Sequence, residues 1–433
     1  MSYPPNEHLW AKKLPKEWHY EFLSELISEY TDNRGRTVPT SIIGIPLIAT
    51  NCIFNDSLFP KFKDVRYVSK DTYDNWFRRG HPIAGDLIFV NKGTPGQTCM
   101  ISEQFNFCFA QDMIGIRANE KKITNRFLLA VIRSSYVQRE IDAFHVGTLI
   151  SHFKKSDFDS IIIPVPTKPL QEKIGDAYYN LSLGIKSLED ESNVLKKIIQ
   201  SIFQSWFIDF DEVTEFQDSE LGEIPKNWKI VPIGTLAKFV KGFSYKGIEK
   251  FQEPKEFVFV TLNNIIEGGG FKKKYAWLES NRLKERHFVK ELDLVIANTE
   301  QTKDARLLAT PAFVQFPFDY EKKLSVYSHH LTKVIPQKDN VKFYLGSLIL
   351  FKQYEIANAY HTGTGVWGLD HDSFEEQYLV IQPPPEKLEE FEEIAENIQS
   401  NINNIEKRIS ILMVIRDSLL EKSLSRKIKW ECS

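Results

Sequence analysis

Leu14-Pro15-Lys16-Glu17-Trp18 returns as Ile224-Pro225-Lys226-Asn227-Trp228, and Leu26 returns as Leu236, each displaced by 210 residues. Further along, His145-Val146-Gly147-Thr148 returns as His361-Thr362-Gly363-Thr364, and Phe127 and Phe158 return as Phe343 and Phe374, displaced by 216. Solenoid repeats have periods of about 20 to 50 residues, whereas this one has the length of a whole domain. The chain therefore reads as two domains of one design, each closed by its own helix.

The closing helices are visible as heptads. Ile174, Leu181, Leu188, Leu195 and Ile202 recur every seven residues, with Tyr178, Ile185, Ser192 and Ile199 four positions on. Phe391, Ile398, Ile405, Leu412 and Leu419 form the same stripe 217 residues later, followed at four by Ala395, Ile402, Ile409 and Arg416. Five heptads make about 50 Å of helix, too long for one compact domain to cover, so the simplest partner for each seam is the other helix. Proline marks both helix starts, in Ile163-Pro164-Val165-Pro166 and in Pro383-Pro384-Pro385, where an apolar strand can no longer continue its ladder.

Within each domain the pattern is mostly short strands with a late helix. Asp86-Leu87-Ile88-Phe89-Val90 matches Asp293-Leu294-Val295-Ile296-Ala297, each preceded by a histidine, His81 or His287, and each followed by a polar loop. Helical stretches follow at 125–144 and 341–360 and run into the Gly-Thr loops. The expected class is α+β: two mixed α/β domains, at 1–167 and 224–384. Long helices at 168–210 and 385–425 join them, with an acidic linker at 211–223 and a tail at 426–433.

Composition sets wide bounds. A chain of 433 residues with 42% hydrophobic and 13% aromatic content can bury two sizeable cores. Residues 1–20 lack the apolar core of a secretory signal, and no stretch reaches the roughly 18 apolar residues of a membrane span, so a cytoplasmic chain with no membrane partner is expected. Cys52, Cys99, Cys108 and Cys432 show no metal spacing and read as free thiols. The net charge of −3 is unevenly placed. Residues 1–167 carry 20 Lys+Arg against 18 Asp+Glu and residues 222–382 carry 22 against 19, giving +2 and +3. Residues 168–221 carry 5 against 11 and residues 383–433 carry 8 against 10, giving −6 and −2. Two mildly basic domains permit a phosphate-facing surface, which total charge alone hides.

Taken in order, these features resemble the specificity subunit of type I restriction-modification enzymes, over essentially the whole chain. The resemblance rests on Leu221-Gly222-Glu223-Ile224-Pro225-Lys226-Asn227-Trp228 opening the second domain and on Phe203-Gln204-Ser205-Trp206-Phe207-Ile208-Asp209-Phe210 closing the first helix. Ile163-Pro164-Val165-Pro166 with Leu170-Gln171-Glu172-Lys173-Ile174 opens that helix. The family's helix-opening Pro-Leu-x-Glu-Gln is degraded in Pro169-Leu170-Gln171-Glu172-Lys173 and more so in Glu386-Lys387-Leu388-Glu389-Glu390. What the resemblance implies is a DNA-reading adaptor with two target recognition domains related by a pseudo-two-fold and an antiparallel helix pair acting as a ruler. It further implies double-stranded DNA, two modification subunits and restriction subunits as partners. S-adenosylmethionine, ATP and Mg would then belong to those partners, and no cofactor or catalytic residue to this chain.

Candidate DNA-contacting residues follow from their hydrogen-bonding capacity. In the first domain they are Lys92, Thr94 and Gln97, with Gln111 and Arg117 downstream, and His145 and Thr148 of the Gly-Thr loop. In the second they are Asn298, Thr299, Gln301 and Lys303, then His361 and Thr364, with Lys241 and Lys246 as a weaker patch. The structural alternative is that Gly-Thr marks a turn and its histidines pack beneath it. Two other functional classes stay open. A metal-dependent nuclease is suggested only by Asp112 with Glu120-Lys121-Lys122 or Asp319 with Glu321-Lys322-Lys323, and a purely structural coiled coil leaves the two large domains unexplained. No phosphate-binding GxxxxGK[ST] loop and no methyltransferase tetrapeptide is present.

Overall fold

The computed structural model describes residues 18–425 apart from 34–35, 63, 104–105, 145–151, 301–305, 318, 323 and 364. Two compact units divide it: residues 1–190 with 408–433, and residues 191–407. The boundary passes through both long helices, so each unit takes part of each.

In the first unit a four-stranded antiparallel sheet runs in the order Ile27–Thr31, Met113–Ala118, Leu87–Val90, Thr98–Met100. The second unit repeats it as Ala237–Lys241, Leu331–Pro336, Leu294–Ala297, Pro311–Phe313. A further sheet lies beside each, of three strands in the first unit and five in the second, and each contains one parallel pairing, Leu47 with Cys108 and Phe259 with Val326. The apolar run Leu87-Ile88-Phe89-Val90 is wholly buried because alternate side chains of a strand point to opposite faces. Leu87 and Phe89 enter the core shared with the helices, and Ile88 and Val90 enter a separate core beneath the small sheet. Leu294 and Ile296 separate from Val295 and Ala297 in the same way. A two-stranded ribbon closes each unit, His19–Phe22 with Ile162–Val165 and Lys229–Pro232 with Leu379–Gln382, beside the buried Trp18 and Trp228.

The long helices are Lys168–Gln204 and Pro385–Leu424. In the second unit Lys196 pairs with Glu406 at 2.9 Å while Phe203 lies against Phe391, so the partner's number falls as the first helix advances and the pair is antiparallel. In the first unit Tyr178 faces Arg416, and Leu420 and Leu424 join Ile174 and Tyr178 in one core. The expectation that each domain is closed by its own helix is thus replaced by closure through both. The two expected stripes of the seam are unequally buried. Ile174, Leu188, Phe391 and Ile405 are buried, but Leu181, Leu195, Ile202, Ile398, Leu412 and Leu419 are only half-buried. The centre runs through Tyr178, Ile185 and Ser192 on one helix and Ala395, Ile402 and Arg416 on the other, four positions along.

The first long helix ends in a wider turn over Ser205–Asp209, where Phe210 adopts φ +55°, and this fits the stop expected near Trp206-Phe207-Ile208-Asp209. Cys52, Cys99 and Cys108 are buried, while Cys432 lies outside the described residues. No helix among the described residues is long and apolar enough to cross a membrane.

Two glycines of the first long helix test the packing. A Cβ on Gly175 would lie 2.6 Å from the amide nitrogen of Phe127, whereas one on Gly184 meets nothing within 4 Å. Gly175→Ala is expected to destabilise the protein by about 1 to 3 kcal/mol by forcing the long helix away from the helix Asn125–Ile132, which carries Phe127. Gly184→Ala should be neutral or stabilising by up to about 1 kcal/mol through helix propensity. Denaturant unfolding of both variants checks this, and equal effects would refute the close approach.

Candidate nucleic-acid interface

Three loops meet at one end of each sheet, joined by backbone hydrogen bonds. In the first unit the Asn91 amide donates to the Asp112 carbonyl at 3.0 Å, and the Phe153 amide donates to the Asn91 carbonyl at 2.7 Å. In the second the Asn298 amide donates to the His330 carbonyl at 2.8 Å, and the Leu369 amide to the Asn298 carbonyl at 3.0 Å. In both copies Asn91 and Asn298 follow the equivalent strands Leu87–Val90 and Leu294–Ala297, and Asp112 and His330 precede the equivalent strands Met113–Ala118 and Leu331–Pro336. Because the bonds are between backbones, the side chains on these loops can differ without disturbing the junction.

The first junction brings together much of what the sequence reading selected. Lys92 is partly exposed, forms a bridge with His152, and its ammonium lies 3.7 Å from the Asp112 carboxylate. Thr94 is exposed in the turn between Gly93 (φ +86°) and Gly96 (φ +90°), a geometry that favours glycine at both flanks. Gln111 sits half-buried beside Asp112, whose own φ is +74°. His145 and Thr148 lie outside the described residues.

Two candidates of the first unit serve the scaffold. The Gln97 side-chain oxygen accepts from the Asn55 amide at 2.7 Å, and Asn55 in turn accepts from the Thr98 amide at 2.8 Å, a clamp between loop and strand. Arg117 donates to both oxygens of the buried Asp86 at 2.9 Å and also to Glu29. The hydrogen bonds it donates to Asp86, helped by both carboxylate charges, hold the guanidinium more firmly protonated than usual. This fork leaves Arg117 matched to carboxylates within the fold, not to a base edge. The second copy repeats the pair as Lys333 with Asp293 at 2.5 Å. In both, the carboxylate also accepts a nearby amide, from Ile83 at 2.8 Å or Lys290 at 2.7 Å.

At the second junction Asn298 is a correction as well. It is buried, donates to the His329 carbonyl at 3.0 Å and meets His371 Nε2 at 2.6 Å, with Thr332 Oγ1 3.1 Å from the same nitrogen. A side chain so enclosed supports the loop from beneath. Thr299 is half-buried, with its hydroxyl 3.1 Å from His330 Nδ1. His361 is exposed and stacks on Trp367 at 4.0 Å and 19°. Gln301, Lys303 and Thr364 lie outside the described residues. Lys241 is exposed at the end of the outer strand, in register with Thr332. Lys246 caps a short turn, its amide donating to Glu249 at 2.6 Å, and lines a different cleft with Arg282.

Sequence reasoning missed His329 and His330, which occupy the turn where the first unit has Gln111 and Asp112. Their rings lie 4.0 Å apart, with Tyr245 5.8 Å from His329. Burial, neighbouring His329 and Lys250 hold His330 below the usual imidazole range. The available signal was positional: a polar pair between two buried strands at the place equivalent to Gln111-Asp112. The flagged His81 and His287 are structural, His81 stacked on Tyr73 at 3.8 Å and His287 buried against Phe243. In the basic run Lys272-Lys273-Lys274, Lys273 lies 3.5 Å from Glu406. Among the described residues no group of three His, Cys, Asp or Glu side chains could hold a metal ion.

His371 gives the second junction a pH dependence. Burial, with the charge of Lys241, pushes its imidazole down to about 4, and its Nδ1 is buried without a hydrogen-bond partner among the described residues. A base with a depressed folded-state pKa contributes stability that is complete above the ordinary value near 6.5 and is lost as pH falls toward about 4. Thermal unfolding of the second unit should therefore weaken across that window, and His371→Gln should flatten this part of the profile. An unchanged profile would refute it.

The matching domain profile is that of the type I restriction modification DNA specificity domain, over residues 17–197. A type I restriction enzyme specificity subunit of Methanocaldococcus jannaschii, MjaIX, is 23% identical over 71% of this chain and 70% of its own length. A second specificity subunit of that organism, described as that of the putative enzyme MjaX, is 20% identical over 52% of this chain and 54% of its own. The crystal structure of a type I restriction-modification S subunit from M. genitalium shares the fold at TM-score 0.55 and 14% identity, covering 95% of this chain and 98% of that one. With the doubled sheet-and-helix design, the chain is similar to the specificity subunits of type I restriction-modification systems, and residues 17–197 match that family's DNA specificity domain.

Proposed function

We propose that this chain reads a bipartite, asymmetric site on double-stranded DNA, one half with each unit, for modification and restriction subunits that act on it in the cytoplasm. The observation that carries this is the pair of junctions. One backbone arrangement is built twice, and it presents Lys92, Thr94, Gln111 and Asp112 in one copy but Thr299, His329, His330 and His361 in the other. Equal scaffolds with unequal side chains suit two half-sites of unequal sequence. Lys, Gln and His supply the donors and acceptors that discriminate base edges in a major groove. Two readers fixed on helices address half-sites about one DNA turn, roughly 34 Å, apart.

In this reading the antiparallel helix pair acts as a ruler and carries two modification subunits. S-adenosylmethionine, ATP and Mg are bound by the partner subunits, and this chain supplies only the address.

A library of randomised sites, methylated by the complex and then sequenced, tests the reading. Lys92→Ala with Gln111→Ala should relax one half-site, and His330→Ala with His361→Ala the other, each by about 1 to 3 kcal/mol per lost base contact. The untouched half should stay as in the parent. A continuous motif, or either double variant degrading both halves equally, would refute the division of labour.

A further inference from the structure

A second basic site lies beside the first junction and belongs to none of the loops that form it. Arg36, Arg78 and Arg79 line a cleft of about 150 Å³ together with Asp32, Asn33, Asn75, Trp76 and Phe77. Arg79 is paired with Asp32, so three guanidinium groups face one carboxylate and the lining carries a surplus of two positive charges. Arg36 and Arg78 are exposed, and neither forms an ion pair among the described residues. Arg117, Arg126 and Arg133 of the same unit are engaged within the fold, on Asp86, on Asp176, and on the Ser57 and Thr98 carbonyls.

The cleft is tied to the junction through one strand. Thr31 pairs with Gly115 on the strand that begins at Met113, directly after Asp112. The Asn33 side chain, beyond the strand's end, reaches back to the Phe109 carbonyl at 3.5 Å, two residues before Gln111. The arginines thus stand at the same end of the sheet as Lys92 and Gln111. The short helix Lys70–Asn75, capped by Ser69 at its N-terminus, delivers Trp76 through Arg79 to the cleft, and stacking of Tyr73 on His81 fixes the chain that follows.

We infer that this cleft is a phosphodiester site, which grips the DNA backbone next to the half-site read by the first unit. The inference rests on the DNA-reading proposal above and assigns it a further contact. Exposed arginines around a half-buried indole, with no carboxylate left over, match an anionic backbone and carry no pattern for a particular base. The site would add affinity and fix the register of the duplex, leaving sequence choice to the loops.

The test uses the full chain assembled with its modification subunits, with Arg79 left intact because it pairs with Asp32. Binding of a cognate and an unrelated duplex is measured across a potassium chloride series for the parent, for Arg36→Ala with Arg78→Ala, and for Arg36→Lys with Arg78→Lys. The alanine pair should weaken both duplexes by a similar factor of about tenfold or more near 0.1 M salt, and lower the log–log salt slope by about two, one phosphate for each charge removed. The lysine pair should keep the slope, and the methylated motif should stay unchanged in all three. An unaltered slope in the alanine pair overturns the phosphate site. A loss confined to the cognate duplex overturns it too, by making the arginines base readers. If the parent complex binds no DNA, the underlying reading fails instead, which the parent measurement alone reveals.

Discussion

Everything in this molecule depends on two helices running in opposite directions. Because the pair is antiparallel, the end of one helix lies with the start of the other, and each compact unit must draw on sequence from both copies. Leu420 and Leu424, near the end of the chain, are buried in the core of the first unit with Ile174 and Tyr178. Phe203 and Phe207, from the end of the first repeat, are buried in the second unit with Phe391 and Ala395. Neither repeat therefore contains its whole core. Arg416 sits buried at the seam over Tyr178 at 5.2 Å, bonded to Asp417, where the first helix has Ile199 at the equivalent position. A cation buried in the seam costs stability unless its partners are met, so it disfavours any slipped register that would separate it from that ring.

On this frame the sheets divide their side chains between two cores, and that division makes the loop junctions rigid. A strand such as Leu87–Val90, held on both faces, cannot tilt without opening one core or the other. Its end is a fixed point from which Asn91 reaches the two neighbouring loops by backbone bonds alone. Function needs loops that vary while their bases stay still, and backbone bonding satisfies both demands.

Much of this was legible from residue patterns. The repeat, the strand pair after Asp86 and Asp293, and the proline-marked starts of the helices all survive, because each is a local signal with a strict period. The seam phase was less legible. Its centre includes Ser192, Ala395 and Arg416, whereas Leu181, Leu195, Leu412 and Leu419 look like better seam residues yet lie on the flanks. Hydrophobicity favours the stripe that wraps the seam, while close packing favours the small residues at its axis. Among the site residues, Arg117 and Asn298 were chosen for their hydrogen-bonding capacity, and that capacity is consumed by Asp86 and His371, 31 and 73 residues away. No sequence pattern announces a partner at that distance. His330 and Arg78 had the complementary fate: their type was visible, but only the folded chain shows what surrounds them.

The two junctions are alike in backbone and unlike in what lies beneath them. Asn298 rests on His371, the first residue of the helix His371–Gln377, so a neutral imidazole props the second junction. The equivalent position in the first unit is Lys155, in a short turn whose ammonium lies over the Tyr30 ring at 3.8 Å, and the Asn91 side-chain oxygen is buried without a partner among the described residues. A lysine cannot fill the place of an imidazole, since an ammonium in that enclosed position would carry an uncompensated charge. Repetition has therefore kept the backbone bonds that position the loops and released the side chains under them, so each reader can diverge in the layer below its surface as well as on it.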